Sequence, residues 1–101
     1  MPISVELRDE RGCVASDVIE ARILTKLIPP LSERSSDLLR FVDPYGDTVF
    51  NRLQAGVLAA ELRSCSADLL DPVERQAIDS VVELAERCAD EVHMYLWFIG
   101  D

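Results

Sequence analysis

The sequence is short of cysteines, basic residues and long apolar runs, and each shortage argues against a class of protein. Cys13, Cys65 and Cys88 are an odd number at wide spacings, with no C-x-x-C pair, which disfavours both a zinc site and a disulfide framework. The apolar runs fall far short of the roughly 20 residues that a membrane helix needs. The amino end lacks the cationic and apolar regions of a signal peptide. We therefore expect a reduced, cytoplasmic protein without a membrane segment.

Basic residues are outnumbered by acidic ones. The chain has 10 Lys and Arg against 19 Asp and Glu, a formal net charge of -9. Such a field repels phosphate backbones, so nucleic-acid binding is not expected. The negative charge is compatible with binding to a basic protein partner. A simpler interpretation is that the charge keeps a small domain soluble.

Motifs of the common enzyme classes are missing as well. None of G-x-G-x-x-G, G-K-S/T, H-E-x-x-H or G-x-S-x-G occurs. Lys26 is the only lysine, so a Schiff-base mechanism has little support. His93 is the only histidine, and its place at the start of an apolar run favours a structural role. Cys88 falls on the core face of a predicted helix, where thiols are inert.

What is present is a globular pattern of 101 residues, 49% of them hydrophobic, without linker or repeat. We expect one domain over residues 1–101 with one core. The alternation over residues 3–8 is the period of a strand with one buried and one wet face. The sequence DERG at 9–12 then supplies a turn, and residues 13–15 are available as a short returning strand.

The next segment has the pattern of a helix. Asp17 and Glu20 stand three residues apart, which is the form of a capping box. Apolar residues between 19 and 28 fall on one broad helical face. Pro29 and Pro30 must end this helix.

In the middle of the chain, residues 38–42 form an apolar run that predicts a largely buried strand. DPYG at 43–46 has the residue order of a type I turn. Asp47 or Thr48 can then cap a helix running to about Ser64. The inward face of that helix is expected to consist of Val49, Phe50, Leu53, Val57 and Ala60.

The last two elements have the strongest patterns. Asp71 as cap, Pro72 as first helical residue and Glu74 as reciprocal partner predict a helix over residues 72–90 with one apolar half. The sequence HMYLWFI at 93–99 predicts a strand. The whole order is strand, possible short strand, helix, strand, helix, helix, strand. This order predicts an α+β fold with a three- or four-stranded sheet packed against about three helices.

Two apolar surfaces are predicted to remain for a partner. Leu58 and Leu62 make a second stripe on the middle helix, which predicts contact with another helix or another subunit. On the last strand, Tyr95 and Trp97 point away from the row formed by Met94, Leu96 and Phe98. If helices cover only one face of the sheet, an exposed Tyr95 and Trp97 row is a candidate partner surface.

A second candidate site is acidic. Asp43, Asp47 and Asp101, together with His93, could gather at the strand ends and hold Mg²⁺ or act as acid and base. The geometry requires that the strands ending at Asp43 and Asp101 be parallel neighbours. Each aspartate also has a local explanation: Asp43 as a turn residue, Asp47 as a helix cap and Asp101 as the chain end.

The segments FVDPYGDTVFN at 41–51 and YLWFIGD at 95–101 carry a resemblance. The chain resembles a group of small uncharacterised bacterial proteins with F-x-D-x-Y-G-D-T-x-F-N near the middle and Y-L-x-F-I-G-D at the end. The resemblance covers chiefly the second half of the chain. It implies that both segments are structural hallmarks and implies no activity.

The sequence favours a non-enzymatic, cytoplasmic interaction domain, such as an inhibitor or immunity-type partner of a basic protein. It would need no cofactor and would form a homodimer through apolar helix or sheet surface. One alternative is a small metal-dependent enzyme that uses the acidic residues with Mg²⁺. Another is a ligand-binding module with Tyr95 and Trp97 lining its pocket.

Overall fold

A four-stranded antiparallel sheet forms one layer of the computed structural model, which describes residues 3–16, 18–65 and 70–100. The strands are β1 (Ser4–Asp9), β2 (Ile19–Glu20), β3 (Asp47–Phe50) and β4 (Met94–Ile99). Their order in the sheet is β2-β1-β4-β3, so β4 pairs with β1 on one side and with β3 on the other. The first and last strands of the chain are therefore the inner strands of the sheet.

Two long helices form the second layer. The helices α2 (Arg52–Arg63) and α3 (Pro72–Asp90) pack against each other and also contact the sheet, which places both on the same face. Two short elements, α1 (Leu24–Leu27) and a 3₁₀ helix (Leu39–Phe41), lie between β2 and β3 in the chain. The predicted α+β class, with helices packed on a sheet, is confirmed. Within the described ranges, no helix is both long and apolar enough to cross a membrane.

The core lies between these two layers. Leu7 of β1 and both Leu96 and Phe98 of β4 are fully buried. Phe98 also meets Phe50 edge to face, with ring centroids 5.6 Å apart. Burying a large apolar side chain of this kind contributes roughly 1.5–3 kcal/mol. The inward rows of the inner strands therefore supply much of the driving force for folding.

The start of α3 follows the local capping pattern, as predicted. The Asp71 carboxylate accepts a hydrogen bond from the Glu74 amide at 2.7 Å, and the Glu74 carboxylate accepts one from the Asp71 amide at 3.1 Å. Pro72 occupies the first helical position, where its missing N–H costs nothing. The buried residues of the helix lie on the predicted apolar side and are Ile78, Val81, Val82, Leu84, Ala85 and Cys88.

The helix predicted over residues 19–28 is largely wrong. Ile19 and Glu20 form β2 and pair with β1, and the Ala21 amide donates to the Ile3 carbonyl at 2.9 Å. Helical structure is limited to the four residues of α1, which ends before Pro29. The backbone N–H and C=O groups along the free edge of β1 form hydrogen bonds with this segment and hold it as a strand. The residue pattern within the segment does not reveal this pairing. The predicted cap Asp17 lies outside the described residues.

The strand predicted over residues 38–42 is also wrong, because a carboxylate from α2 fixes a 3₁₀ helix there. Glu61 accepts hydrogen bonds from the amides of Leu38 and Leu39 at 2.9 and 3.0 Å, and from the Ser36 hydroxyl. The two amides are among the free N–H groups at the start of a helical turn. Leu39 and Val42 are still buried, so the apolar run reaches the core in another conformation.

The start of α2 differs from the prediction as well. Residues 47–50 are β3, and Asn51 caps the helix in place of Asp47 or Thr48. The Asn51 side chain accepts from the Gln54 amide at 2.9 Å, and the Gln54 side chain accepts from the Asn51 amide at 3.0 Å. This reciprocal capping box lets the strand run directly into the helix.

The rotation of α2 reverses the predicted roles of its two apolar stripes. Leu58 and Leu62 are 0% and 1% exposed and belong to the core, whereas Leu53 and Val57 are 70% and 45% exposed. The buried face of α2 contacts α3 and the sheet, so the predicted contact with another helix occurs within the chain. The assignment of Leu58 and Leu62 as partner-binding residues is wrong, because neither has surface left to offer.

The rotation of α2 can be tested with one pair of leucines. We expect Leu58→Ala to lower the free energy of unfolding by roughly 2–5 kcal/mol, because it leaves a cavity in the core. Leu53→Ala, on the exposed side of the same helix, is expected to change it by no more than about 0.5 kcal/mol. Urea unfolding of both variants measures the difference. Equal losses would contradict this orientation of the helix.

Candidate functional site

One face of the sheet has no helix packed on it in the described part of the chain. Since α2 and α3 share the other face, strand alternation and register define the side chains of this surface, which we call the open face. Tyr95 and Trp97 lie on it and are partly exposed, while Leu96 and Phe98 point into the core. The open face consists of Ser4, Glu6 and Arg8 from β1, Glu20 from β2, Asp47 and Val49 from β3, and Tyr95, Trp97 and Ile99 from β4.

The centre of the open face is a cluster of Glu6, Arg8 and Trp97. Register places Trp97 between Glu6 of β1 and Val49 of β3. The Arg8 guanidinium lies 4.2 Å from the centroid of the Trp97 ring and pairs with the Glu6 carboxylate through both Nε and an Nη atom. Glu6 is only 4% exposed. A strand that faces solvent therefore carries a nearly buried carboxylate under a guanidinium.

The cluster depends on the pairing of its charges. A carboxylate removed from water is tolerated when a cation and hydrogen bonds compensate it, and Arg8 supplies both to Glu6. The guanidinium also gains roughly 0.5–2 kcal/mol from the face of an indole ring. Carboxylate and ring together make a receptor for a planar cation, and Arg8 occupies it from within the chain.

The rim of the open face is acidic. Glu20 on β2 and Asp47 on β3 are exposed at opposite edges of the sheet. With Glu6 they give this face three carboxylates against the single guanidinium of Arg8. The face therefore has a mixed aromatic and acidic character, which suits a basic surface better than an acidic one.

Gly46 and Gly100, the glycines of the two Gly-Asp endings, meet at one end of β3 and β4. Because these strands are antiparallel, Asp47 stands opposite Ile99, and the Gly100 amide donates to the Gly46 carbonyl at 2.8 Å. Asp43 closes the preceding turn: its carboxylate accepts from the Tyr45 amide at 2.9 Å. The side chain of Asp43 is thus used in the turn, as turn chemistry predicts.

The metal hypothesis receives no support from this arrangement. Asp47 is an exposed strand residue, Asp43 is held in its turn, and Asp101 lies outside the described residues. Among the residues with described positions, no group of three or more His, Cys, Asp or Glu side chains could hold a metal ion. The required parallel pairing is wrong, because the strand expected to end at Asp43 is absent and residues Leu39–Phe41 form a 3₁₀ helix. The Mg²⁺ site at Asp43, Asp47 and Asp101 stays a prediction.

His93 does not join this end of the sheet. It precedes β4, so the six residues of that strand separate it from the Gly-Asp endings, a distance of roughly 20 Å. Its Nδ1 lies 3.1 Å from the Glu10 carboxylate, and both side chains are mostly exposed. The inclusion of His93 in the acidic site is therefore wrong.

The cysteines, all within the described ranges, are free thiols. Burial raises the pKa of Cys88 to about 11, and the Glu91 carboxylate adds to the rise. Burial and then Glu61 likewise raise the pKa of Cys65. A raised pKa suppresses the reactive thiolate, so the expectation of an inert Cys88 agrees with its surroundings.

No protein-family model, curated protein or solved structure matches this chain. Function has to be inferred from the chain's own surfaces. Sequence reasoning found Tyr95 and Trp97 but missed the Glu6–Arg8 pair beside them. The available signal was the spacing of opposite charges two residues apart on one strand, which puts both on the same face.

Gly100 packs closely against the turn at residues 43–46, and a substitution at Gly100 tests this contact. A Cβ atom on Gly100 would lie 2.5 Å from the carbonyl carbon of Pro44 and 2.6 Å from the Asp43 carbonyl oxygen. We expect Gly100→Ala to lower the free energy of unfolding by roughly 1–3 kcal/mol, because backbone must move to admit the methyl group. Thermal and urea unfolding measure this loss.

Gly56→Ala is the matched control for that substitution. A Cβ on Gly56 would meet the Ala89 Cβ at 3.8 Å, an ordinary contact, and alanine favours a helix interior. We expect this variant to be at least as stable as the parent. A Gly100→Ala protein of unchanged stability would show that the two endings do not pack as described.

The buried thiol of Cys88 predicts a dependence on alkaline pH. Its pKa rises from the ordinary 9.0 to about 11 on folding, so the unfolded chain loses the proton first. The free energy of unfolding is unaffected by this group below pH 9.0 and falls as pH increases toward about 11. We expect Cys88→Ala to show a shallower decline over that range in urea unfolding. Parallel curves for the two proteins would contradict the assignment.

Proposed function

We propose that this protein is a non-enzymatic interaction domain that binds a basic protein partner through the open face. The observation that carries the proposal is the cluster of Glu6, Arg8 and Trp97. Its carboxylate and indole ring already hold one guanidinium, and an arginine-rich surface presents the same group. Tyr95 lies next along β4 and extends the aromatic surface.

The charge of the whole chain supports this partner chemistry. A net charge of -9 attracts a basic protein at long range, and the rim carboxylates of Glu20 and Asp47 set the sign of the local field. Tryptophan, tyrosine and arginine are also the residues that most often dominate binding energy in interfaces. The proposed role is that of an inhibitor or immunity-type partner.

The groups with catalytic potential are engaged in other tasks, which supports the non-enzymatic part of the proposal. Asp43 holds a turn, His93 pairs with Glu10 at the surface, and burial raises the pKa of Cys88. A cytoplasmic location and a homodimer belong to the same proposal, the first because all three cysteines are free thiols.

The proposal can be tested by titration with an arginine-rich peptide. Trp97 is the only tryptophan, so its fluorescence reports on the open face directly. We expect a saturable change that weakens with added salt, and weaker binding of a lysine peptide of equal charge, because a guanidinium stacks on a ring better than an ammonium does. Calorimetry of Trp97→Ala should show a loss of at least about 2 kcal/mol in binding free energy.

Charge variants separate the open face from the charge of the chain as a whole. Glu20→Gln with Asp47→Asn is expected to weaken peptide binding by roughly 0.5–2 kcal/mol. Glu83→Gln with Asp79→Asn removes the same charge from exposed positions of α3 and should have a smaller effect. Equal effects of the two pairs, or absence of salt-dependent binding, would overturn the proposal.

A further inference from the structure

Arg8 completes the cluster at the centre of the open face, but it is held there differently from the other two members. Register pairs Glu6 directly with Trp97, so the carboxylate and the ring lie side by side on neighbouring strands. Arg8 stands opposite Tyr95, two residues along β1, and its guanidinium reaches back over the Trp97 ring. The sheet therefore fixes the carboxylate and the ring, whereas a long, flexible side chain brings the cation to them.

The burial of Glu6 depends on the position of Arg8. No described helix packs on the open face, so neighbouring side chains of the sheet shield the Glu6 carboxylate from water. Arg8 bonds to this carboxylate through Nε and an Nη atom, and the two side chains are 24% and 5% exposed respectively. The more exposed guanidinium thus covers the less exposed carboxylate, and movement of Arg8 toward solvent uncovers it.

We propose that Arg8 is an intramolecular ligand of the open face, which an arginine of the basic partner displaces from Glu6 and Trp97. This inference rests on the proposed function and specifies how an occupied cluster accepts the partner. The exchange replaces one guanidinium by another, so the incoming group regains the hydrogen bonds and the ring contact that Arg8 gives up. The released Arg8 side chain turns to solvent, where water hydrates its charge.

The intramolecular ligand makes the open face selective for a protein surface over a single arginine. A tethered group competes at an effective concentration that is roughly millimolar, so a free guanidinium at lower concentration does not displace Arg8. A partner that also contacts Tyr95 and the rim carboxylates of Glu20 and Asp47 gains binding energy that one side chain lacks. Arg8 thus discriminates against small cations and favours a larger basic surface.

Removal of Arg8 should leave a guanidinium site that a small cation fills. We expect methylguanidinium, kept far below denaturing concentrations, to change the Trp97 fluorescence of Arg8→Gln with a half-saturation at least about tenfold lower than in the parent. This ratio follows if Arg8 occupies the site in roughly nine-tenths or more of the parent molecules. Methylammonium should have less effect, because it lacks the planar fork. Adding Glu6→Gln to the Arg8→Gln protein should remove most of the response, since the carboxylate is lost.

Peptide affinity tests the exchange itself. By calorimetry, Arg8→Gln should bind the arginine-rich peptide at least about threefold more tightly than Arg11→Gln, the matched control that removes the same charge from an exposed position. Arg8→Lys keeps a cation beside Glu6 but stacks on the ring less well, so its affinity should fall between those of the parent and Arg8→Gln. Because its carboxylate stays paired, Arg8→Lys carries the test if Arg8→Gln does not fold.

The outcomes separate failure of this inference from failure of the proposed function. If the parent binds the peptide but Arg8→Gln binds it no more tightly than Arg11→Gln, the exchange is wrong and the proposed function stands. An Arg8→Gln protein that does not respond to methylguanidinium also overturns the exchange. If neither the parent nor any variant binds the peptide, the proposed function fails and the exchange fails with it.

Discussion

The register of β4 is the constraint on which the rest of the structure depends. Leu96 and Phe98 fill the centre of the core, and the alternation of the strand then sends Tyr95 and Trp97 to the opposite face. A slip of one residue would exchange the two rows, so burial of the first fixes the position of the second. The core and the candidate binding face are thus decided together. Pairing on both sides of β4 also aligns Glu6 and Val49 with Trp97.

Carboxylates serve two purposes in this chain. Asp71 and Asp43 bond to nearby amides, Glu61 holds the 3₁₀ helix to α2, and Glu6 pairs with Arg8. These acids hold turns, helix ends and strands in place through bonds within the chain. Exposed acids lie on α3, at the rim of the open face and between the helices and strands at Glu10, Glu33 and Asp37. The exposed residues of α2, by contrast, include no acid.

The candidate site was partly readable from the sequence. Alternation placed Tyr95 and Trp97 on one face, but the contribution of Arg8 and Glu6 required the pairing of the first strand with the last. On α2, both sides of the helix carry apolar residues, so periodicity alone could not decide between Leu58 and Leu53. The sequence assigned Leu58 and Leu62 to a second stripe that could face a partner, whereas both are buried in the core. Packing against α3 resolved the ambiguity.

Local chemistry by itself determined the elements whose hydrogen-bond partners are close in sequence. The capping box of Asp71 and Glu74 and the turn closed by Asp43 are of this kind. Tertiary structure alone decided the segments whose partners are distant: Ile19 is a strand because β1 offers it a ladder, and Leu39 lies in a 3₁₀ helix because Glu61 binds its amide. The physical reason is that isolated segments of this length gain too little from their own hydrogen bonds to fix a conformation. Contacts across 20 residues or more, such as Leu39 with Glu61, select one of the conformations that the local sequence permits.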